Sequence, residues 1–184
     1  MFNESARYGY LNIIKWLHQN RIKGCTYLVM DYAAEYGHLN VVEWLNRHGF
    51  ACSFYTMDSA AMNGHLKVLQ FLYRYRNRKY FTKDIINTAA SNGHLNVIKW
   101  LHNRGTACTH QAMNNAAENG HLDVVEWLHE NRTEGCTTEA MDHAAKNGHL
   151  DVVEWLHENR TEGCTKWAMD YAAMNGHLNV VKRL

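Results

Sequence analysis

The chain has 184 residues and a formal net charge of +1, with 19 Lys and Arg against 18 Asp and Glu. So small a net charge argues against general attraction to nucleic acid or to an anionic membrane. The longest apolar runs are only a few residues, so we expect neither a bilayer-spanning helix nor a secretion signal.

Seven copies of one short sequence motif follow each other along the chain, each with a Gly at the same position. These glycines are Gly9, Gly37, Gly64, Gly93, Gly120, Gly148 and Gly176, at intervals of 27 to 29 residues. Such a period indicates a stacked array in which each repeat contacts only its neighbours. We therefore predict one continuous repeat domain over 1–184. Its repeats would cover about 1–23, 24–50, 51–78, 79–106, 107–134, 135–162 and 163–184, with the first and last incomplete.

The first half of each repeat predicts a helix, and the sixth repeat shows the pattern best. Thr137 suits an N-cap, because its hydroxyl can accept from free backbone amides. One apolar face then carries Ala140, Met141, Ala144 and Ala145. Asp142, His143 and Lys146 are expected on the solvent side. Gly148 is expected to end this helix in the left-handed conformation.

A second helix is expected to begin at His149 or Leu150. Its apolar residues, Leu150, Val152, Val153, Trp155 and Leu156, cover a broad arc beside a narrow polar stripe. One repeat cannot bury so much apolar surface alone, so neighbouring repeats must cover both flanks. The connecting NRTEGC segment has no strand alternation, and the chain has no Pro, which favours a tight loop over an extended hairpin.

The five cysteines occupy the same place in five different repeats. They are Cys25, Cys52, Cys108, Cys136 and Cys164. Packed helices lie about 10 Å apart, whereas a disulfide needs Cα atoms within about 7 Å. We therefore expect small, buried, reduced residues where each loop enters a helix, and an intracellular or cytoplasmic protein.

The string A-A-x-N-G-H-L-x-V-V, present at 116–125 and 144–153, resembles the central part of the ankyrin repeat. Ankyrin repeats usually have 33 residues and open with T-P-L-H after a β-hairpin. Here the period is about 28, and variants such as Glu139 to Asp142 replace T-P-L-H. The resemblance, which extends to the short repeats of protist and giant-virus arrays, implies an all-α, ankyrin-like solenoid. It would contain seven stacked helix-turn-helix repeats, with β-hairpins shortened or absent.

The resemblance also implies a non-enzymatic protein–protein interaction or scaffold module that binds its partner on the face formed by the first helices. Residues at fixed, exposed places on these helices change chemistry from repeat to repeat, as a binding surface requires. The candidate partner-binding residues are Tyr27, Tyr32, Glu35, Phe54, Tyr55, Ser59, Met62, Thr88, Ser91, His110, Asn115, Glu118, His143, Lys146, Lys166, Trp167, Tyr171 and Met174.

One segment, 73–83, breaks the pattern by losing the Cys and gaining basic and aromatic residues. Its candidate basic patch is Arg74, Arg76, Arg78, Lys79 and Lys83. Interleaved aromatic and basic side chains can stack on bases and neutralise phosphates, or bind an acidic ligand. Nucleic-acid or acidic-ligand binding is therefore the alternative function. The acidic repeats that follow favour a protein partner over nucleic acid.

Motifs for catalysis or cofactor binding are missing from the sequence. It has no Gly-rich phosphate loop, no HExxH and no Ser nucleophile elbow. Six of the thirteen His residues share the place after the repeated Gly, as framework residues would, and a His/Cys pair in each repeat is too few ligands for zinc. We expect no enzyme activity, cofactor, metal or membrane contact, and a monomer that binds a protein partner.

Overall fold

The computed structural model describes residues 1–22, 26–53, 55–75 and 81–184. These residues form α-helices and contain no strand, so the all-α prediction is confirmed. The first seven helices are α1 Phe2–Arg7, α2 Leu11–Gln19, α3 Leu28–Glu35, α4 Leu39–Arg47, α5 Thr56–Met62, α6 Leu66–Tyr75 and α7 Ile85–Ser91. The next seven are α8 Leu95–His102, α9 Gln111–Glu118, α10 Leu122–Asn131, α11 Thr138–Asn147, α12 Leu150–Asn159, α13 Lys166–Met174 and α14 Leu178–Arg183. Each repeat thus contributes a first and a second helix.

The helices group into two compact units, Met1–Ile85 and Ile86–Leu184. In unit 1 the first helices pack in succession, α1 on α3 and α3 on α5, and each also packs on the second helix of its own repeat. Ala33, Ala34 and Ala60 are fully buried between them, beside Met30 and Leu45. Small side chains let the helix axes approach closely, so apolar surface from neighbouring repeats is shared.

Unit 2 repeats the arrangement. Its first helices pack α9 on α11 and α11 on α13, while α10 packs on α12 and α12 on α14. In the sixth repeat Ala144, Ala145, Val152 and Val153 have no exposed surface, and Leu156 is 1% exposed. The predicted covering of α12 on both flanks therefore holds for these residues. Leu150 and Trp155, expected in the same apolar arc, are only half-buried.

The helix ends follow from short-range chemistry. The Thr137 hydroxyl accepts from the Glu139 backbone N–H at 3.3 Å, which confirms the predicted N-cap. Gly148 has φ +79°, the left-handed conformation expected at the end of α11. A Cβ atom added there would lie 2.6 Å from Nδ1 of His177, so the site excludes a side chain for a second reason. The ring after one repeated Gly thus covers the Gly of the preceding repeat.

Asp142 was expected on the solvent side of α11, and this prediction is wrong. The residue is only 7% exposed. Its carboxylate accepts from the Thr165 backbone N–H at 2.8 Å and from the Thr165 hydroxyl at 2.7 Å. Asn114 makes the matching contacts to Thr137, at 3.0 and 2.9 Å. This position is therefore a link between consecutive repeats, and burial follows because the next repeat's N-cap covers it.

The cysteines match the prediction only in part. All four described cysteines are free; Cys108 is buried, Cys52 and Cys136 are half-buried, and Cys164 is exposed. Cys25 lies outside the described residues. The expectation of burial is wrong at Cys164, because the loops that cover Cys108 and Cys136 come from the following repeat.

Candidate partner-binding surface

The outward side chains of the first helices form the candidate surface, which we call the first-helix face of each unit. On α9 and α11 the Ala and Met residues are buried, together with Asn114 and Asp142, and on α13 Ala168 and Ala172 are buried. The candidate residues lie at other positions of these helices. Three Asn side chains join neighbouring repeats along this face. Asn147 Nδ2 donates to the Glu118 carbonyl at 2.7 Å, and Asn175 Nδ2 donates to the Lys146 carbonyl at 2.8 Å. Asn119 Nδ2 donates to Ser91 Oγ at 3.2 Å.

The α13 part of the face carries the largest side chains. Trp167 is 48% exposed and Met174 is 79% exposed, and Tyr171 is half-buried between them along the helix. The Trp167 and Tyr171 rings stack, with centroids 5.4 Å apart and planes at 19°. Residues four apart share one side of a helix, which is why the two rings meet.

Two Lys side chains lie over this aromatic pair. The Lys166 ammonium is 5.1 Å from the Trp167 ring centroid, and the Lys146 ammonium of the preceding repeat is 5.7 Å from the Tyr171 ring centroid. Both distances fit a cation–π contact. The predicted residues Lys146, Lys166, Trp167 and Tyr171 are therefore brought together, and the exposed Met174 follows Tyr171 by about one helical turn.

The rest of the unit 2 face is more polar. His143 Nδ1 lies 3.7 Å from a carboxylate oxygen of Glu118, across one repeat boundary. His110 is exposed at the start of α9, and Asn115 is half-buried. Thr88 and Ser91, on α7, are half-buried as well.

In unit 1 the face also carries exposed aromatic and Met residues. Tyr27 is 54% exposed, Tyr55 57% and Met62 39%. The half-buried predicted residues are Tyr32, Glu35 and Ser59. Phe54 lies outside the described residues.

Sequence reasoning missed two aromatic residues in unit 1. Tyr8 is 57% exposed and Tyr36 38% exposed, and the Arg7 guanidinium lies 5.1 Å from the Tyr36 ring centroid. Both Tyr residues stand directly before the repeated Gly, where the later repeats have Asn. That departure from the repeat pattern was the signal that could have identified them.

The basic patch is described only at its two ends. Arg74 is exposed, with its guanidinium 5.8 Å from the Tyr75 ring centroid, and Lys83 is exposed. Arg76, Arg78 and Lys79 lie outside the described residues.

A second set of contacts, which the sequence did not reveal, joins the loops of unit 2. The Arg160 guanidinium binds the Glu162 carboxylate and lies 3.2 Å from Nδ1 of His129 in the preceding repeat. The hydrogen bond from Arg160 lowers the pKa of Glu162 below its usual value, against the opposing effect of burial. Arg132, Glu134 and His102 repeat the arrangement one copy earlier. The identical RTEG segments at 132–135 and 160–163 were the available signal.

These loop contacts are structural in character. Burial raises the pKa of the Cys108 and Cys136 thiols, despite the nearby Arg side chains, so these thiols stay protonated and are poor nucleophiles. The hollows beside them hold almost no space for a water-sized sphere, with cavity volumes of about 10 and 0 Å³. Small-molecule sites usually measure about 300–1,000 Å³. Neither hollow therefore offers a substrate site.

Neither a metal cluster nor a membrane span is found within the described ranges. No group of three or more His, Cys, Asp or Glu side chains there could hold a metal ion. No helix there is both long enough and apolar enough to cross a bilayer.

Comparison with known proteins agrees with this geometry. The crystal structure of the human ASB11 ankyrin repeat domain is similar to this chain, with a TM-score of 0.73 and 17% identity, covering 100% of this chain and 97% of that chain. At this identity the likeness shows the fold alone. A search of curated protein sequences gave no significant match. A family model described as Ankyrin repeats (3 copies) matches residues 57–142 and 113–184. Ankyrin repeats are in general protein–protein interaction modules, and because the two matches together span more than half of the sequence, this chain belongs to the ankyrin-repeat family.

Proposed function

We propose that this chain is a non-enzymatic protein-interaction module whose partner docks on the first-helix faces. The observation that carries the proposal is the exposure of large apolar side chains at equivalent helix positions in different repeats. Tyr55 and Trp167 share one such position, at 57% and 48% exposed, and Met62 and Met174 share another, at 39% and 79%. Aromatic and Met residues are enriched in the centres of interfaces.

The rigidity of the frame supports the same proposal. Hydrogen bonds from Asn147 and Asn175 join neighbouring first helices, and the Asp142 link to Thr165 joins consecutive repeats. A surface that is already ordered loses little conformational entropy on binding. The proposed partner is a protein, and the module would act as a monomer inside the cell, where the free thiols remain reduced.

A selection from a random-peptide display library on the immobilised full chain tests this function. The face variant would carry Tyr32→Ala, Met62→Ala, Tyr171→Ala and Met174→Ala. The control variant would carry Asp123→Ala, Glu130→Ala and Asp151→Ala, at exposed positions of the second helices α10 and α12. We expect selected peptides to bind the face variant at least about tenfold more weakly, because hot-spot side chains each contribute more than about 1 kcal/mol.

The control should bind the selected peptides as the unaltered chain does. Peptides that keep full affinity for the face variant but lose it for the control would place the binding surface on the second helices. That result would overturn the proposal. Circular dichroism of both variants shows whether each one is folded.

A further inference from the structure

We propose that the lysine–aromatic patch, formed by Lys146, Lys166, Trp167, Tyr171 and Met174, binds acidic peptide segments that contain an aromatic residue. This inference rests on the proposed function, since it assigns a class of partner to one part of the first-helix face. It follows from exposure, ring geometry and the distribution of paired and unpaired charges in unit 2.

Both exposed positions of the patch are accessible in other repeats as well, to different degrees. Trp167 stands where Tyr55 and Glu139 are exposed and Gln111 is half-buried. Met174 stands where Met62 and Lys146 are exposed and where Glu35, Ser91 and Glu118 are half-buried. The repeat frame therefore leaves these positions at least partly open to solvent, and the exposure is greatest on α13.

The aromatic part of the patch is already arranged for contact. Trp167 and Tyr171 stack at 5.4 Å with nearly parallel planes, so each ring restricts the other's rotation. Rigid aromatic side chains offer a large apolar area at low entropic cost, and a ligand ring can pack on or against such a pair. The exposed Met174 adds a flexible thioether that adapts to an irregular apolar group.

The charges on the face favour an anionic ligand. Glu118 lies against His143, and the Glu139 carboxylate accepts from Asn114 Nδ2 at 2.9 Å. Neither Lys146 nor Lys166 forms an ion pair with a carboxylate of the described residues. The two ammonium groups beside the rings are therefore available to a carboxylate of a ligand.

Asp170 is the acidic residue of α13, and it forms no ion pair with Lys146 or Lys166. It is exposed, and it occupies the place of Asp142, whose carboxylate points along the array to Thr165. Two second helices of unit 2, α10 and α12, disfavour an anionic ligand, because α10 carries Asp123, Glu126 and Glu130, and α12 carries Asp151, Glu154 and Glu158. An acidic segment is repelled there, so its favourable site is the lysine–aromatic patch.

The test is a fluorescence-anisotropy titration of the full chain with three labelled peptides of equal length. The probe is Gly-Glu-Asp-Phe-Glu-Asp-Gly. In the second peptide Ala replaces Phe, and in the third Lys replaces each acidic residue. We expect the probe to bind saturably, the Ala peptide to bind about tenfold more weakly, and the Lys peptide not to bind, because ring contact and charge both contribute.

Variants locate the binding. Lys146→Gln with Lys166→Gln should weaken the probe about fivefold to tenfold, as two exposed charge contacts would, and Trp167→Ala should weaken it similarly. Lys182→Gln, which neutralises an exposed Lys on α14, should leave the affinity unchanged. Equal loss with Lys182→Gln, no effect of the Lys146 and Lys166 changes, or no binding of the probe would overturn the inference.

Library-selected peptides assayed in parallel separate this inference from the proposed function. If they require the first-helix face while the acidic probe does not bind, only the assignment of an acidic partner fails. If neither kind of peptide depends on the face, the proposed function fails as well. Inorganic phosphate that displaces the probe while the Ala peptide binds equally well would indicate simple anion binding, and would also overturn the inference.

Discussion

At the scale of single residues, the repeated Gly serves two requirements at once. Gly148 has a left-handed backbone, and its missing side chain leaves room for the His177 ring of the next repeat. Gly163 also has a positive φ, of +68°, but a Cβ added there would meet no atom within 4 Å. Substituting each Gly in turn therefore distinguishes the free-energy cost of a left-handed backbone from the cost of a steric clash.

We predict that Gly148→Ala destabilises the protein more than Gly163→Ala. Left-handed conformation costs a residue with a Cβ atom about 1–2 kcal/mol, which both variants incur. Gly148→Ala must in addition displace His177. Urea denaturation measures the two free energies of unfolding. Equal losses would mean that the His177 ring moves away at no cost, and would contradict the packing described above.

The Asp142 carboxylate links two consecutive repeats through its hydrogen bonds to Thr165. Removing the carboxylate with Asp142→Ala leaves the Thr165 N–H and hydroxyl without their buried acceptor, which should cost about 1–3 kcal/mol. Asp170→Ala is the matched control, because Asp170 has the same place in the next repeat but is exposed. Its cost should stay within about 0.5 kcal/mol.

Asp142→Asn provides a further check on the same link. Asn114 holds Thr137 through an amide, so an amide at 142 should preserve most of the stability. Thermal denaturation of Asp142→Ala, Asp142→Asn and Asp170→Ala tests this order of stabilities, in which Asp142→Ala is the least stable. If Asp142→Asn were as damaging as Asp142→Ala, then the negative charge, and not the hydrogen-bond geometry, would be the stabilising feature.

At the scale of helices, sequence and structure agree wherever the signal is local. The Thr137 cap and the Gly148 conformation each depend on a few neighbouring residues, so both could be predicted. The burial of Asp142 could not, because the apolar pattern of α11 alone does not show which flank the next repeat covers. The contact of Arg160 with His129 joins residues 31 apart, and no single repeat contains it.

The candidate surface was predictable to a similar extent. Variation at fixed helix positions identified Trp167, Tyr171 and Lys146 as surface residues, but their mutual stacking depends on the packing of α11 on α13. Trp155 was expected in a buried arc and is half-buried. Its ring meets His129 edge-on at 5.2 Å, so it spans the boundary between core and solvent.

Helix α10 packs on both α9 and α12, and this gives a prediction for the helix as a whole. Leu128 is 2% exposed, and Leu128→Ala should lower the free energy of unfolding by about 2–5 kcal/mol, since it removes buried methyl groups and leaves a cavity. Leu178 is 61% exposed on α14, so Leu178→Ala is the control and should cost under about 1 kcal/mol. A negligible loss for Leu128→Ala in urea denaturation would mean that α10 is not enclosed by its neighbours.

The loop pair of Arg160 and Glu162 gives a prediction about pH. Because the folded pKa of Glu162 is lowered, the pair stabilises the fold above the unfolded pKa of about 4.3. The contribution is lost as pH falls through the folded value. Glu162→Gln should cost about 0.2–1 kcal/mol at pH 7, as expected for a partly exposed pair. The stability difference between the unaltered protein and Glu162→Gln should shrink as pH falls below about 4.

Thermal melting of both proteins across this pH range is the measurement. Glu130→Gln, at an exposed position of α10, is the control and should show little deficit at any pH. A Glu162→Gln deficit that stayed constant down to pH 3 would contradict an electrostatic origin and indicate lost packing instead.

At the scale of the whole molecule, nearly balanced charge conceals a strong asymmetry along the chain. Residues 71–104 contain seven Lys and Arg and one acidic residue, whereas residues 118–162 contain eleven acidic residues and three basic ones. A net charge of +1 provides no long-range attraction for a polyanion. Affinity for nucleic acid would therefore have to come from the basic patch alone.

We accordingly predict no binding of a labelled single-stranded 20-mer at about 150 mM salt. Each phosphate neutralised on a single strand contributes about −0.7 to the slope of log K against log salt concentration. The basic patch has five cations, so the slope of any binding seen at low salt should not exceed about 3.5 in magnitude. Fluorescence anisotropy over a salt series measures this slope. Arg74→Gln with Lys83→Gln should reduce it by about 1.4, and Lys182→Gln should leave it unchanged. The opposite result would be tight oligonucleotide binding at about 150 mM salt that Arg74→Gln with Lys83→Gln abolishes. It would establish the alternative function, because exposed charges are largely screened at that ionic strength and only a specific polyanion-binding site keeps its affinity.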